Sequence, residues 1–170
     1  MTAAAGSGVD GGFVHLHVHT EYSMLDGAAR LKDTFARCEQ AGMQAIAMTD
    51  HGNLYGAYDF WSKATAAGIK PIIGIEAYLA PEHRRHRQPV RWGTPAQKDD
   101  DVSGAGAYTH MTLLARTTGG MHNLFRMASL ASLEGYYFKP RMDRELLQTY
   151  GQGLIATTGC SSSRSMRGLK

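Results

Sequence analysis

The sequence predicts an α/β protein with a mostly parallel sheet. Three observations carry this: apolar runs of strand length alternate with stretches at helical spacing, glycines stand just past the helical stretches, and ligand-type residues collect where the runs end. The chain has 170 residues, enough to bury a sizeable core, and its 43% hydrophobic and 19% charged content excludes general disorder. No run approaches the ~18 apolar residues of a membrane span, and the first ten residues lack the basic start and apolar centre of a signal peptide. The expected setting is the cytoplasm, where Cys38 and Cys160 stay thiols or ligands rather than a disulfide framework. A net charge of +3 is too small to argue for nucleic acid by itself.

Residues 1–12, small and polar, read as a flexible N-terminal arm. Phe13 to Thr20 alternates apolar residues with His15, His17 and His19, the pattern of a strand with one imidazole-bearing face. Ala28 to Ala41 repeats at helical spacing and is followed by Gly42. A short strand is expected at 44–49, a turn at 50–56, a helix at 57–67 closed by Gly68, and a strand at 71–79 apolar enough to be covered on both faces. Residues 80–107 carry a basic cluster, then an acidic run and glycines, and read as an inserted surface loop. A strand at 108–115, a helix from about Met121 to Ala131, a short helix ending near Tyr150 and a fifth strand at 153–158 complete the alternation.

His17 and His19 are two apart in the first strand, so their side chains leave the same face about 7 Å apart and can converge on one cation or a close pair. Glu21 and Asp26 lie just beyond. Asp50 and His51 end the second strand, Glu76 is late in the third, His110 is in the fourth and Cys160 follows the fifth. In a parallel α/β architecture the C-terminal ends of the strands share one face, where sites are built. Taken singly, each has an ordinary reading: Asp50 caps a turn, Glu76 pairs with a lysine, Cys160 is a small buried hydrophobe, and His15 is structural. Their joint placement favours a metal centre. Imidazole, carboxylate and thiolate together suit zinc, manganese or iron, and the ligands outnumber what one tetrahedral ion takes, so two or three divalent ions are expected. Such a centre suits phosphoester hydrolysis, because one ion acidifies a bound water while its neighbours neutralise the phosphate. Arg84, Arg85, Arg87 and Arg91 with Trp92, and Tyr136, Tyr137, Lys139 and Arg141, offer a candidate track for phosphates and single-stranded bases.

Five stretches together carry a resemblance: His15 to Gly27, Thr49 to Gly56, Lys70 to Tyr78, Tyr136 to Asp143, and Thr157 to Cys160. In this order they resemble the motifs of the polymerase and histidinol phosphatase (PHP) domain family, and within it the branch at the N-terminus of bacterial replicative DNA polymerase α subunits. The resemblance implies an incomplete distorted (β/α)7 PHP barrel over residues 13–160, with a three-metal cluster at the ends of its strands. The ligands it implies are His17, His19, Asp26, His51, Glu76, His110 and Cys160, leaving out Asp50. The implied activity is a metal-dependent 3′-5′ exonuclease that proofreads DNA, with a single-stranded 3′ end as substrate; Arg84, Arg85, Arg87, Lys139 and Arg141, taken from the basic track above, are the candidate contacts. The remainder of the polymerase α subunit and other replicase subunits are the implied partners, and no membrane is involved. The alternative is a structural module that docks a separate proofreading subunit. A histidinol-phosphatase-like phosphomonoesterase fits the later motifs less well.

The family's site is completed by a later Asp-x-His pair near the end of a domain of about 250 residues, beyond Lys170. Residues 161–170 depart from the family's usual continuation and read as an atypical tail. The expectation is therefore an N-terminal piece of a longer protein.

Overall fold

A computed structural model describes residues 12–24, 26–90 and 106–157. The N-terminal arm apart from Gly12, the pair Arg91 and Trp92, Cys160 and residues 161–170 lie outside the described residues. The strands are β1 (Ala45–His51), β2 (Lys70–Leu79), β3 (Thr109–Ala115), β4 (Arg141–Met142) and β5 (Leu154–Thr157). The helices are α1 (Leu31–Gln40), α2 (Ala57–Ala66), α3 (Thr118–Glu134) and α4 (Arg144–Tyr150). Each expected helix is present, and α3 begins three residues earlier than its apolar spacing suggests because the Thr117 side chain accepts a hydrogen bond from Gly120 N–H and caps it.

The sheet runs β1-β2-β3-β5, with the two-residue β4 also paired to β2. β1 and β2 are parallel over Ala45↔Lys70 to His51↔Glu76, and β4 then pairs with Tyr78 and Leu79, beyond the end of β1. β3 departs from the expected direction: it is antiparallel to β2, with Tyr78 opposite His110, and β5 is antiparallel to β3. The sheet is therefore mixed rather than mostly parallel. The described residues between β2 and β3 contain no helix, and a chain that returns without a crossover pairs antiparallel.

Strand periodicity separates the two faces. Ile73, Ile75 and Ala77 of β2 belong to the packed core with residues of α1 to α4, including Leu31, Phe35, Phe60, Leu124, Met127 and Leu146. Glu76 and Tyr78 alternate with them and face the other way. His51, at the end of β1, and His110, at the start of β3, pair with Glu76 and Tyr78 respectively. Among the described residues, no helix is long and apolar enough to cross a membrane.

The segment from Phe13 to Thr20 runs beside β1 but is not a regular strand. Ala47 N–H donates to His15 O and Thr49 N–H to Val18 O, both at 2.8 Å, so three steps on one side match two on the other. That extra residue acts as a bulge, with a bend at Leu16 and His17. It separates His15 from the other two histidines, and the His15 ring meets Phe13 edge-on at 4.6 Å.

The inserted segment is tied into the fold more firmly than its composition suggests. Arg84 is buried; its Nη1 donates to Asp143 at 2.8 Å and Glu145 at 2.9 Å, and its Nε to Glu134 at 2.7 Å. Arg141 is fully buried and donates to the carbonyls of Gly135, Ala107, Arg84 and His86. Neither guanidinium is presented to an outside phosphate, so the sequence expectation that Arg84 and Arg141 contact substrate is corrected here. Three carboxylates and four carbonyls converge on them from α3, α4 and both flanks of the insertion, neighbours that local sequence does not reveal. Arg85 and Arg87 stay exposed, with Arg85 also 3.0 Å from Glu134.

Burial alone would raise the Asp143 carboxyl, but hydrogen bonds from Arg84 and Leu146 N–H and the Arg84 charge bring it below its ordinary value. A carboxyl lowered in the folded state stabilises the fold above its unfolded value, and that contribution is lost as pH falls through the depressed one. Replacing Arg84 by Met leaves Asp143 buried without its cation. The expected cost is about 3 kcal/mol in urea unfolding at pH 7, with a shallower loss of stability between about pH 5 and pH 3 than in the parent chain. Equal stability and equal acid slopes would show that the pair contributes nothing.

Candidate metal centre

Glu76 is the hub of the site. It is 1% exposed, and its carboxylate lies 2.9 Å from His17 Nε2, 2.5 Å from His19 Nε2 and in hydrogen-bonding contact with His110 Nδ1. His51 Nδ1 is 3.5 Å from Glu76 Oε2, while His51 Nε2 is 2.9 Å from Asp26 Oδ2. His17 and His19 Nε2 atoms are 3.2 Å apart. Burial pushes the Glu76 carboxyl upward, yet hydrogen bonds from His110, His17 and His19 and the charge of His51 outweigh it and hold Glu76 well below the usual carboxylate range. The Glu76 hydrogen bond raises His19 against the opposing effect of burial, whereas burial lowers His51 against the pull of Asp26.

Five chain segments deliver these groups, each by a local cause. The bulge before His17 directs His17 and His19 to the Glu76 face while Val18 packs against the α1–α2 core. His51 is the last residue of β1, and Gly52, at φ 64°, turns the chain away where any Cβ would strike Tyr78 and Pro140. Glu76 is its partner across the parallel ladder. His110 is the second residue of its strand, which in a parallel sheet would place it at the far end; the reversed direction of β3 brings it to Glu76. Asp26 comes from the loop between Glu21 and Ala29, closed by the Thr20↔Ala29 bridge. That closure requires a glycine at 27, because a Cβ there would lie 1.8 Å from Thr20 O.

Asp50 takes no part in this cluster. It is fully buried and accepts hydrogen bonds from Thr20 N–H at 2.6 Å, Thr20 Oγ1 at 2.8 Å and Ser23 Oγ at 2.7 Å, fixing the turn that carries the histidines onto β1. The capping reading of Asp50 therefore describes its place. Tyr78 was not singled out by sequence reasoning, although it is two residues from Glu76 on one strand face. Its ring stacks with His51 at 6.0 Å and meets His110 edge-on at 5.0 Å, and burial pushes its phenol up to about 12. Lys139 is exposed, its Nζ 5.6 Å from the centre of that ring.

Three groups of potential ligand atoms lie within 4.8 Å of one another: His17, His19 and Glu76; His19, Asp26 and His51; His51, Glu76 and His110. His19, His51 and Glu76 each belong to two groups, so the atoms form a continuous cluster. The donor set fits a divalent transition metal, being mixed imidazole and carboxylate. A second observation agrees: His51 Nδ1 is buried and makes no hydrogen bond, although buried polar atoms normally have a partner. A fourth group, His83, Asp143 and Glu145, surrounds the Arg84 guanidinium, which already supplies its cation. Cys160 lies outside the described residues; β5 ends at Thr157, opposite Thr112 of β3 and two residues from His110.

Fold and site together define an α/β protein with a histidine and carboxylate centre able to hold divalent metal. The chain belongs to the PHP domain family, whose profile matches residues 15–167. DNA polymerase III subunit alpha of Saccharopolyspora erythraea is 60% identical over 157 residues, covering 88% of this chain and 13% of that protein. The same subunit of Mycobacterium tuberculosis is 54% identical over 159 residues, covering 93% of this chain and 13% of its own length. The chain thus spans about 13% of the length of these curated relatives, matching their N-terminal PHP region. Among solved structures, an amidohydrolase from Chromobacterium violaceum is 19% identical with a TM-score of 0.44, over 70% of this chain and 33% of that one.

The wall that Thr20 O forms beside Gly27 gives a direct test of how Asp26 is placed. Gly27→Val is expected to cost about 2 kcal/mol in urea unfolding, in the range of overpacking substitutions, and to shift the His51 imidazole resonances in NMR spectra as Asp26 withdraws. Unaltered stability and resonances would mean the loop is not held by that contact.

Proposed function

We propose that this segment is the PHP domain region of a replicative DNA polymerase α subunit, and that in the whole protein it forms a metal-dependent 3′-5′ exonuclease acting on single-stranded DNA ends. The observation that carries the reading is the unbroken set of converging ligands: His17, His19, Asp26, His51, Glu76 and His110 meet from five chain segments. Cys160 and a later Asp-x-His pair would complete the set. We assign two or three divalent ions, zinc, manganese or iron, to these ligands. Once bound, such ions supply a water acidified toward neutrality and charge that neutralises a phosphodiester.

The chain's own groups account for the rest. Glu76, desolvated and ringed by imidazoles, stays ionised and fixes the ring orientations of His17, His19 and His110. Asp26 orients His51 and remains open to solvent on the side from which a strand end would enter. Lys139, at the rim of the site, offers a phosphate contact, and Arg85 and Arg87 are exposed enough to extend it. The proposed partners are the rest of the α subunit and the other replicase subunits, in the cytoplasm.

The test uses the polymerase subunit that carries this segment. Elemental analysis should find transition metal that falls on His19→Ala substitution, and degradation of a single-stranded 3′ end should drop by about a hundredfold or more, at or beyond the scale of lost supporting contacts in metal sites, while nucleotide incorporation continues. Bound metal without any degradation, in parent and variant alike, would instead identify a structural module that docks a separate proofreading enzyme. Turnover of phosphomonoesters with indifference to DNA would identify a small-molecule phosphatase.

A further inference from the structure

Beside the metal centre, the turn from Tyr136 to Pro140 holds an aromatic side chain in an arrangement that folding alone does not require. Phe138 is 70% exposed and adopts φ 60°, the left-handed region that favours glycine over a branched or aromatic residue. Both features are unfavourable in an isolated chain, since a large ring stands in water and its backbone is strained. The surrounding turn nevertheless enforces them. Arg141 closes the base through its N–H and Nε, which both donate to Gly135 O. Tyr137 N–H donates to Lys139 O at 3.1 Å across Phe138, and the Tyr137 ring rests over the buried Arg141 guanidinium at 4.9 Å. The Phe138 ring then lies against Tyr137, with centroids 4.5 Å apart.

This rigid turn sits at the rim of the site. Lys139 stands over Tyr78, whose ring touches both His51 and His110, and Pro140 approaches Gly52, the residue after His51. An exposed ring one residue from a cation, on a braced turn beside a phosphodiester-cleaving centre, matches what a single strand presents: a flat base joined to a phosphate. We propose that Phe138 is the stacking surface for the 3′-terminal base, with Lys139 taking the adjacent phosphate. Phe138 is thus a positioning residue that selects polynucleotide ends bearing a base over phosphodiesters that lack one. This inference rests on the exonuclease reading above.

Binding measured without metal separates the two. The 170-residue chain in chelator is titrated against a labelled single-stranded thymidine oligomer and against the same oligomer ending in an abasic sugar, with fluorescence anisotropy as the readout. The parent chain should prefer the base-bearing end by about tenfold, the scale of one aromatic–base stack. Phe138→Ala should erase the preference, and Phe138→Trp, which keeps a ring, should retain it. Absence of preference in the parent, or a preference that survives Phe138→Ala, overturns the proposal. Failure of the underlying hydrolytic reading would show separately, as inability of the metal-loaded subunit to cleave bis(p-nitrophenyl) phosphate, a diester with no base to stack.

Discussion

The structure depends on a carboxylate that has been taken out of water. Glu76 is buried toward the end of β2, where an unpaired anion would cost several kcal/mol. Three imidazoles in contact and a fourth at 3.5 Å turn that liability into an organising centre, since they come from three separate segments, each of which must arrive for the anion to be compensated. The mixed sheet follows from the same requirement. β1 reaches Glu76 with its last residue and β3 with its second, and both arrive at one edge because one strand runs with β2 and the other against it.

The supporting contacts are arranged around that centre at increasing distance. Asp50 ties the histidine-bearing turn to β1 through three hydrogen bonds, and Gly27 lets the next loop fold back far enough for Asp26 to reach His51. Farther out, Arg84 and Arg141 bind the flanks of the insertion to α3, α4 and β4, which in turn sets the base of the Phe138 turn. Charge in this protein therefore has two separate uses. Imidazoles and carboxylates at the strand edge remain available to an ion, whereas the two buried guanidiniums are fully occupied by the fold.

Much of this was legible in the sequence. Among the described residues, the alternation of apolar runs gave four of the five strands and every helix to within a few residues, and period-two spacing placed His17 with His19. The strand-end reading placed His51 and Glu76 at one edge, where they are partners across the β1–β2 ladder. The rest needed information from across the chain. His110 was found as a ligand type but its reach depends on the direction of β3, which periodicity does not encode. The bulge that separates His15 from His17 leaves the period-two pattern intact in the sequence while breaking it in space. Arg84 and Arg141 look like a surface track because their carboxylate and carbonyl partners lie tens of residues away. β4, at two residues, is too short to produce a pattern.

The claim beneath the whole account is that these side chains share metal ions. A crystal structure of the polymerase subunit carrying this segment, grown with manganese or zinc and measured at the metal's absorption edge, addresses it most directly. Anomalous peaks should fall between Glu76, His17 and His19, between His19, His51 and Asp26, or between Glu76, His51 and His110, with at least two of these positions filled. A map with no peak within bonding distance of Glu76, and His17, His19 and His110 still hydrogen-bonded to it, would show that the cluster is an internal salt network and contradict the metal centre.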